Sequence, residues 1–182
     1  NAVVWTHSGC PVLLNGRPEE FKASCIGSNI AMVKWLEGHQ PEFVVLSQYI
    51  RSTSPLTDLV MAAKEIGRYA QRKILITNPP IFPDVDDFMV ARPMIMKPYE
   101  PAKAIPKKRM NSRDSEASNQ FKESLSHIGF QTLDPQSAFC STTTCSRFSK
   151  GQWLYRDDNH LSIAGARLLT KSISQLFASQ QN

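Results

Sequence analysis

Apolar positions along the chain follow two alternating patterns, unbroken runs of strand length and longer stretches with an apolar residue every third or fourth position. Ala2 to Thr6 is predicted as a strand. Ile26 to Leu36 is predicted as a helix with Ile26, Ile30, Val33 and Leu36 on one face, and Phe43 to Leu46 as a short, wholly apolar strand. The pattern repeats with a helix over Pro55 to Tyr69, its stripe Leu59, Ala62, Ala63 and Ile66 and its cap Ser54, followed by a strand over Lys73 to Thr77. Asn78-Pro79-Pro80 then ends regular pairing, because proline lacks an N–H donor and restricts the residue before it. Residues 81–113 show no clear period, and six of the twelve prolines fall between Pro80 and Pro106. They predict a long irregular loop with one short helix or strand near Met94, and a loop of such length in a compact domain is usually functional or disordered. Beyond it, Asp114 to Ile128 reads as a helix stopped by Gly129, Phe130 to Leu133 as a strand, and Ser162 to Phe177 as a final helix capped by Ser162.

Strands alternating with helices predict a parallel sheet covered on both faces, a three-layer α/β/α sandwich. Four strands are few for that architecture. The chain also opens at Asn1 inside the first predicted strand, with no Met before it. The expectation is a single domain over residues 1–182 whose first strand lies upstream. Ligands of such sheets bind beyond the carboxyl ends of the strands, so the segments leaving Thr6, Leu46 and Thr77 and the loop after Leu133 are expected to surround a site.

With 182 residues, 41% of them hydrophobic, the chain can bury one core. No apolar run is long enough to cross a membrane, and the first residues lack the pattern of a signal peptide. The net charge of +5 is local: between Phe88 and Arg113, Arg92, Lys97, Lys103, Lys107, Lys108, Arg109 and Arg113 face one acid, Glu100, a segment charge of +6 against −1 for the remainder. Such a run is a solvated loop, or it attracts an anionic glycan, a lipid head group or a partner domain. Nucleic acid is excluded as a partner class, because no aromatic residues alternate with these charges on a recognisable binding module. The four cysteines form two local pairs, Cys10 with Cys25 and Cys140 with Cys145, whose short spacings suit two disulfides and an oxidising compartment. The competing readings are free thiols and zinc, although C-x14-C and C-x4-C are not zinc-ligand spacings and no paired His motif lies nearby. No metal or other cofactor is expected.

The stretch richest in chemistry is Tyr155-Arg156-Asp157-Asp158-Asn159-His160-Leu161-Ser162, directly before the final helix. An Asp three residues ahead of a His can fold back onto imidazole Nδ1 and leave Nε2 facing a nucleophile, which supplies the orienter and base of a hydrolase triad from one turn. The alternative is a polar loop whose acids merely favour a helix N-terminus. Tyr155, Trp153 and Phe139 nearby are core or loop anchors, or faces for a sugar ring. His7, His39 and His127 have no partner spacing, and His127 is expected to face solvent.

From Tyr155 through Asp157, His160, Leu161, Ser162 and Gly165 to Ala166, the chain resembles the terminal block of SGNH domains fused to membrane-bound acyltransferases of the acyltransferase-3 family. Ser8-Gly9-Cys10-Pro11, Val44-Val45-Leu46, Asn78-Pro79-Pro80 through Pro83, and the pair Cys140 and Cys145 resemble further blocks in the same order, so the similarity spans nearly the whole chain. The resemblance implies an SGNH hydrolase, flavodoxin-like fold with His160 as general base, Asp157 as its orienter and Gly9 near the oxyanion hole. The Asn that many such domains place after the third strand is missing from Ser47-Gln48-Tyr49-Ile50-Arg51, which leaves Gln48 or Arg51 as substitutes. Arg51 and Tyr155 are also candidates for substrate binding. The family's Gly-Asp-Ser-His motif is absent, so the nucleophilic serine is missing from this chain. Truncation just downstream of that motif is the expectation, and a degenerate domain without a nucleophile the rival.

What the resemblance implies is an extracytoplasmic, periplasmic domain tethered to the inner membrane through an N-terminal membrane acyltransferase domain. It would move acetyl groups onto a surface polysaccharide or glycolipid acceptor. The alternatives are a secreted carbohydrate acetyl-esterase and a non-catalytic glycan-binding or scaffold domain.

Overall fold

The computed structural model describes residues 10–14, 23–82, 103–110 and 112–178. The strand expected at Ala2 to Thr6 and the element expected near Met94 lie outside them. The chain divides into two compact units, Asn1–Ile76 with Ala117–Thr132, and Thr77–Glu116 with Leu133–Asn182.

The first unit is built on a parallel sheet. Strand β1 (Phe43–Ser47) pairs in parallel with β2 (Arg72–Ile76) in the register Val45 to Ile74, and β4 (Gln131–Leu133) flanks β2 on its other side. Helix α1 (Ala23–His39) precedes β1, α2 (Leu56–Gly67) links β1 to β2, and α3 (Ser112–His127) leads into β4. Leu36, Val44, Leu46, Leu59, Ile66, Leu75, Phe121, Leu125 and Phe130 form one buried cluster. The predicted stripe of α2 is the buried one: Leu59, Ala62, Ala63 and Ile66 are each at most 2% exposed. Ser54 does not cap α2. Its hydroxyl instead accepts the Arg51 N–H at 2.9 Å, and Pro55, which begins the helix, offers no side-chain cap. Gly129 does stop α3, with a φ of +87° that suits glycine. Beside it the Lys73 ammonium donates to the Ile128 carbonyl at 2.9 Å, satisfying an acceptor at the helix end.

In α1 the buried face keeps Val33 and Leu36 of the predicted one but departs from it at Ile30. Ile30 is 42% exposed, while Cys25, Asn29 and Leu36 are buried at 3%, 5% and 6%. The cause is the segment Cys10–Leu14. It is joined to α1 by the Cys10–Cys25 disulfide and by Asn29, whose side-chain amide donates to the Pro11 carbonyl at 2.9 Å and the Leu13 carbonyl at 2.8 Å.

The second unit contains short strands and a terminal helix. Strand β3 (Ala104–Pro106) pairs antiparallel with β5 (Thr144–Ser146), and β6 (Phe148–Ser149) pairs with β7 (Gln152–Trp153). A single 3-10 turn, Lys107–Arg109, follows β3, and a one-turn helix α4 (Gln136–Phe139) follows β4. The end of the segment read as irregular is therefore ordered, because Ile105 is driven into a cluster with Phe82, Phe139, Cys145, Leu154, Tyr155 and Leu169. The Cys140–Cys145 disulfide closes the turn into β5. Helix α5 (Ile163–Ala178) ends the described chain, and Ser162 caps it, accepting the Gly165 N–H at 3.1 Å while donating to the Trp153 carbonyl at 2.7 Å. The fold is thus mixed α/β around a parallel sheet, and among the described residues no helix is long and apolar enough to cross a membrane.

Candidate active site

The loop between β7 and α5 is fixed at both ends before it reaches any reactive group. The backbones of Tyr155 and Leu161 pair antiparallel, the Arg156 N–H donates to the His160 carbonyl at 2.8 Å, and the Ser162 N–H donates to the Leu154 carbonyl at 2.9 Å. Outside the loop, the Phe82 N–H donates to the Asp158 carbonyl at 2.9 Å, so the chain leaving Asn78-Pro79-Pro80 braces it from the side. Phe82 is fully buried, with its ring edge-on to Tyr155 at 4.8 Å between centroids.

Within this frame Asp157 binds three donors. One carboxylate oxygen accepts the N–H groups of Asn159 at 3.0 Å and His160 at 2.6 Å, and the other lies 2.8 Å from His160 Nδ1. An ionised carboxylate only accepts, so Nδ1 is the donor in this contact, and the neutral tautomer that it selects has its lone pair on Nε2. The His160 side chain is 75% exposed and that of Asp157 18%, so the imidazole opens to solvent while the carboxylate is held beneath it. Burial by itself pushes the Asp157 pKa up, but the two backbone N–H groups and the imidazole outweigh it and hold the carboxyl below its ordinary value. Asp157, and not its neighbour Asp158, therefore meets the ring.

The other sequence candidates have different surroundings. Gly9 lies outside the described residues. Gln48 belongs to the first unit, where its side-chain oxygen accepts the Val12 N–H at 3.0 Å and so ties down the segment after Cys10. Arg51, in the same unit, is exposed, with its guanidinium over the Tyr49 ring at 5.2 Å. Tyr155 is 1% exposed and enclosed by Phe82 and Phe139, so its ring has no free face for a sugar, and burial pushes its phenol pKa up. Trp153 is half-buried and packs edge-on against Phe148 at 5.1 Å. Both cysteine pairs are disulfides. Among the described residues no three His, Cys, Asp or Glu side chains converge as metal ligands would. Sequence reasoning missed Asn29, whose signal was its place four residues after Cys25, and Phe82, which carried none beyond its position after the proline pair.

The chain belongs to the family described as SGNH domain (fused to AT3 domains), whose model matches residues 1–175. Its fold is similar to the lipopolysaccharide acetyltransferase periplasmic domain of Salmonella ser. Paratyphi A, with a TM-score of 0.69 and 20% identity over 93% of this chain and 69% of that one. No curated protein sequence matches it.

Proposed function

We propose that the chain is part of the extracytoplasmic SGNH domain of an O-acetyltransferase, with His160 as general base and Asp157 as the residue that orients it. The observation that carries this reading is the 2.8 Å contact of Asp157 with His160 Nδ1 beneath an exposed ring, an arrangement that leaves Nε2 ready to take a proton. The two disulfides suit an oxidising compartment, and the family's fusion to acyltransferase domains supports a membrane-embedded partner that delivers the acetyl group.

Residues 1–182 contain no Gly-Asp-Ser. The nucleophile is therefore taken to be a serine supplied from outside this stretch. Its hydroxyl would attack the acetyl carbonyl of the donor as its proton passes to His160 Nε2, and the donor's leaving group would depart with that proton. In the second step a sugar hydroxyl of a surface glycan gives its proton to Nε2 and attacks the acetyl-serine, and the serine leaves reprotonated. Backbone amides, with Gly9 the candidate donor, would hold the oxyanion in both steps.

The deciding experiment replaces His160 by Ala in the full-length parent and follows acetyl transfer in membranes containing the variant at the wild-type level. Loss of transfer by about a thousandfold fits a general base. Unchanged transfer would overturn the catalytic reading and favour a glycan-binding or scaffold domain. Transfer to water alone, with no acetylated glycan formed, would make the parent an esterase.

A further inference from the structure

Charge in the second unit is distributed unevenly. Residues 103–110 and 135–156 contain Lys103, Lys107, Lys108, Arg109, Arg147, Lys150 and Arg156 and no Asp or Glu. After Asp134 the only carboxylates up to Asn182 are Asp157 and Asp158, both in the dyad loop. Solvated surfaces ordinarily mix the two signs.

These two segments lie side by side. The Arg147 N–H donates to the Lys103 carbonyl at 2.9 Å, the Leu154 N–H to the Arg147 carbonyl at 2.8 Å, and the Ser162 N–H to the Leu154 carbonyl at 2.9 Å. At about 4.8 Å between neighbouring backbones, three such steps set the Lys103 segment roughly 14 Å from the one that follows His160. The Lys107 N–H donates to the Thr143 carbonyl at 2.8 Å, which joins the basic turn to the exposed hydroxyl turn Ser141–Thr144. Ile105, Cys145, Leu154 and Tyr155, none more than 4% exposed, anchor this ladder from below. Lys103, Lys107, Lys108, Arg109, Lys150 and Arg156 are exposed, and the buried Arg147 guanidinium lies over the Phe82 ring at 5.3 Å.

We propose that this face is the acceptor-binding surface of the domain and that the acceptor is a negatively charged glycan, bearing phosphate or carboxylate groups, laid from the basic turn toward His160. The proposal rests on the acetyltransferase reading and names its substrate class. Like-signed charges on a fixed backbone raise the local concentration of an anion. The adjacent hydroxyls can bond sugar oxygens, and Arg156 carries the positive surface to the residue before Asp157.

The test measures binding of the 182-residue chain to phosphomannan, polygalacturonate and uncharged dextran by affinity electrophoresis, at low and high salt, with phosphatidylglycerol vesicles in parallel. Retardation by either charged glycan, lost at high salt and absent with dextran, is expected; which of the two retards more tells phosphate from carboxylate. K107A/K108A should weaken it about tenfold. K34A/K64A, two exposed lysines of the first unit, removes the same charge and should change it less than twofold. Thermal unfolding of both variants confirms that they are folded. Equal loss in the two variants would reduce the effect to net charge and overturn the proposal, as would salt-independent binding to dextran or binding to the vesicles alone. Because no turnover is needed, such a failure is separate from that of the catalytic reading, which is decided by the His160→Ala parent.

Discussion

Replacing Gly165 by Ala sets two opposed effects against each other. In the first turn of α5 an alanine is intrinsically worth up to about 1 kcal/mol over glycine. Here, however, an added Cβ would press into the Leu154 carbonyl oxygen and sit 3.0 Å from its carbonyl carbon. Nothing soft can give way. The obstacle is backbone, and that same oxygen already accepts the Ser162 N–H at 2.9 Å. Overpacking costs about 1–3 kcal/mol, and with a backbone obstacle the upper end applies. After subtracting the helical gain, the net loss is about 2 kcal/mol, or roughly 4–8 °C in Tm for a domain of this size. Gly27, in mid-α1 with nothing within 4 Å of its Cβ position, is the control, and Gly27→Ala should stabilise by about 0.5–1 kcal/mol. Thermal unfolding followed by circular dichroism reads both. A Gly165→Ala Tm equal to or above wild type would show that the approach of α5 to Leu154 is looser than described and would refute the reasoning.

Asp157→Asn keeps an oxygen for the two backbone N–H groups but offers Nδ1 a donor, so the imidazole proton moves to Nε2; acetyl transfer by the full-length parent should fall about 10³–10⁴-fold in a variant that still folds, and retention of a tenth of the activity would argue against the orienting role. The lowered Asp157 pKa means that its charged form stabilises the fold above the unfolded carboxyl value, about 3.9. The stability difference between wild type and Asp157→Asn should therefore hold from neutral pH to about pH 4 and fade as pH drops through the folded-state value, as denaturant titrations at several pH values will show. Tyr155→Phe removes a buried hydroxyl with no hydrogen-bond partner among the described residues, so it should leave stability unchanged or raise it by up to about 1 kcal/mol; a loss above 1 kcal/mol would reveal a partner. Removing Cys10–Cys25, a sequence separation of 15, should cost about 3 kcal/mol and removing Cys140–Cys145, a separation of 5, about 2, and the reverse order in urea denaturation would contradict a loop-entropy origin.

Periodicity alone located α2, its buried stripe and the first strand pair, because those elements bury plain apolar surface. In α1 it found Leu36 and Val33 but not Cys25 and Asn29, since the N-terminal part of that face is set by a disulfide and a buried amide rather than by apolar periodicity. The ladder of short strands in the second unit was equally hidden. Strands of two or three residues are too short for an alternation to show, and their pairing depends on contacts such as that of Lys103 with Arg147, 44 residues apart in sequence. The dyad was readable because its chemistry is local, with both partners in one turn ahead of a capped helix. Gln48 shows the opposite limit: a polar residue after a strand reads as a ligand donor, but whether its oxygen is already engaged by a remote N–H depends on the tertiary fold.

Asp157 holds His160 by its ring and by its backbone at once. The loop and the imidazole therefore travel as one rigid piece, with no joint between Asp157 and His160. In the proposed role the variable left open is the distance of this piece from the nucleophile, so a partner that set that approach would govern transfer without ever touching the Asp–His pair.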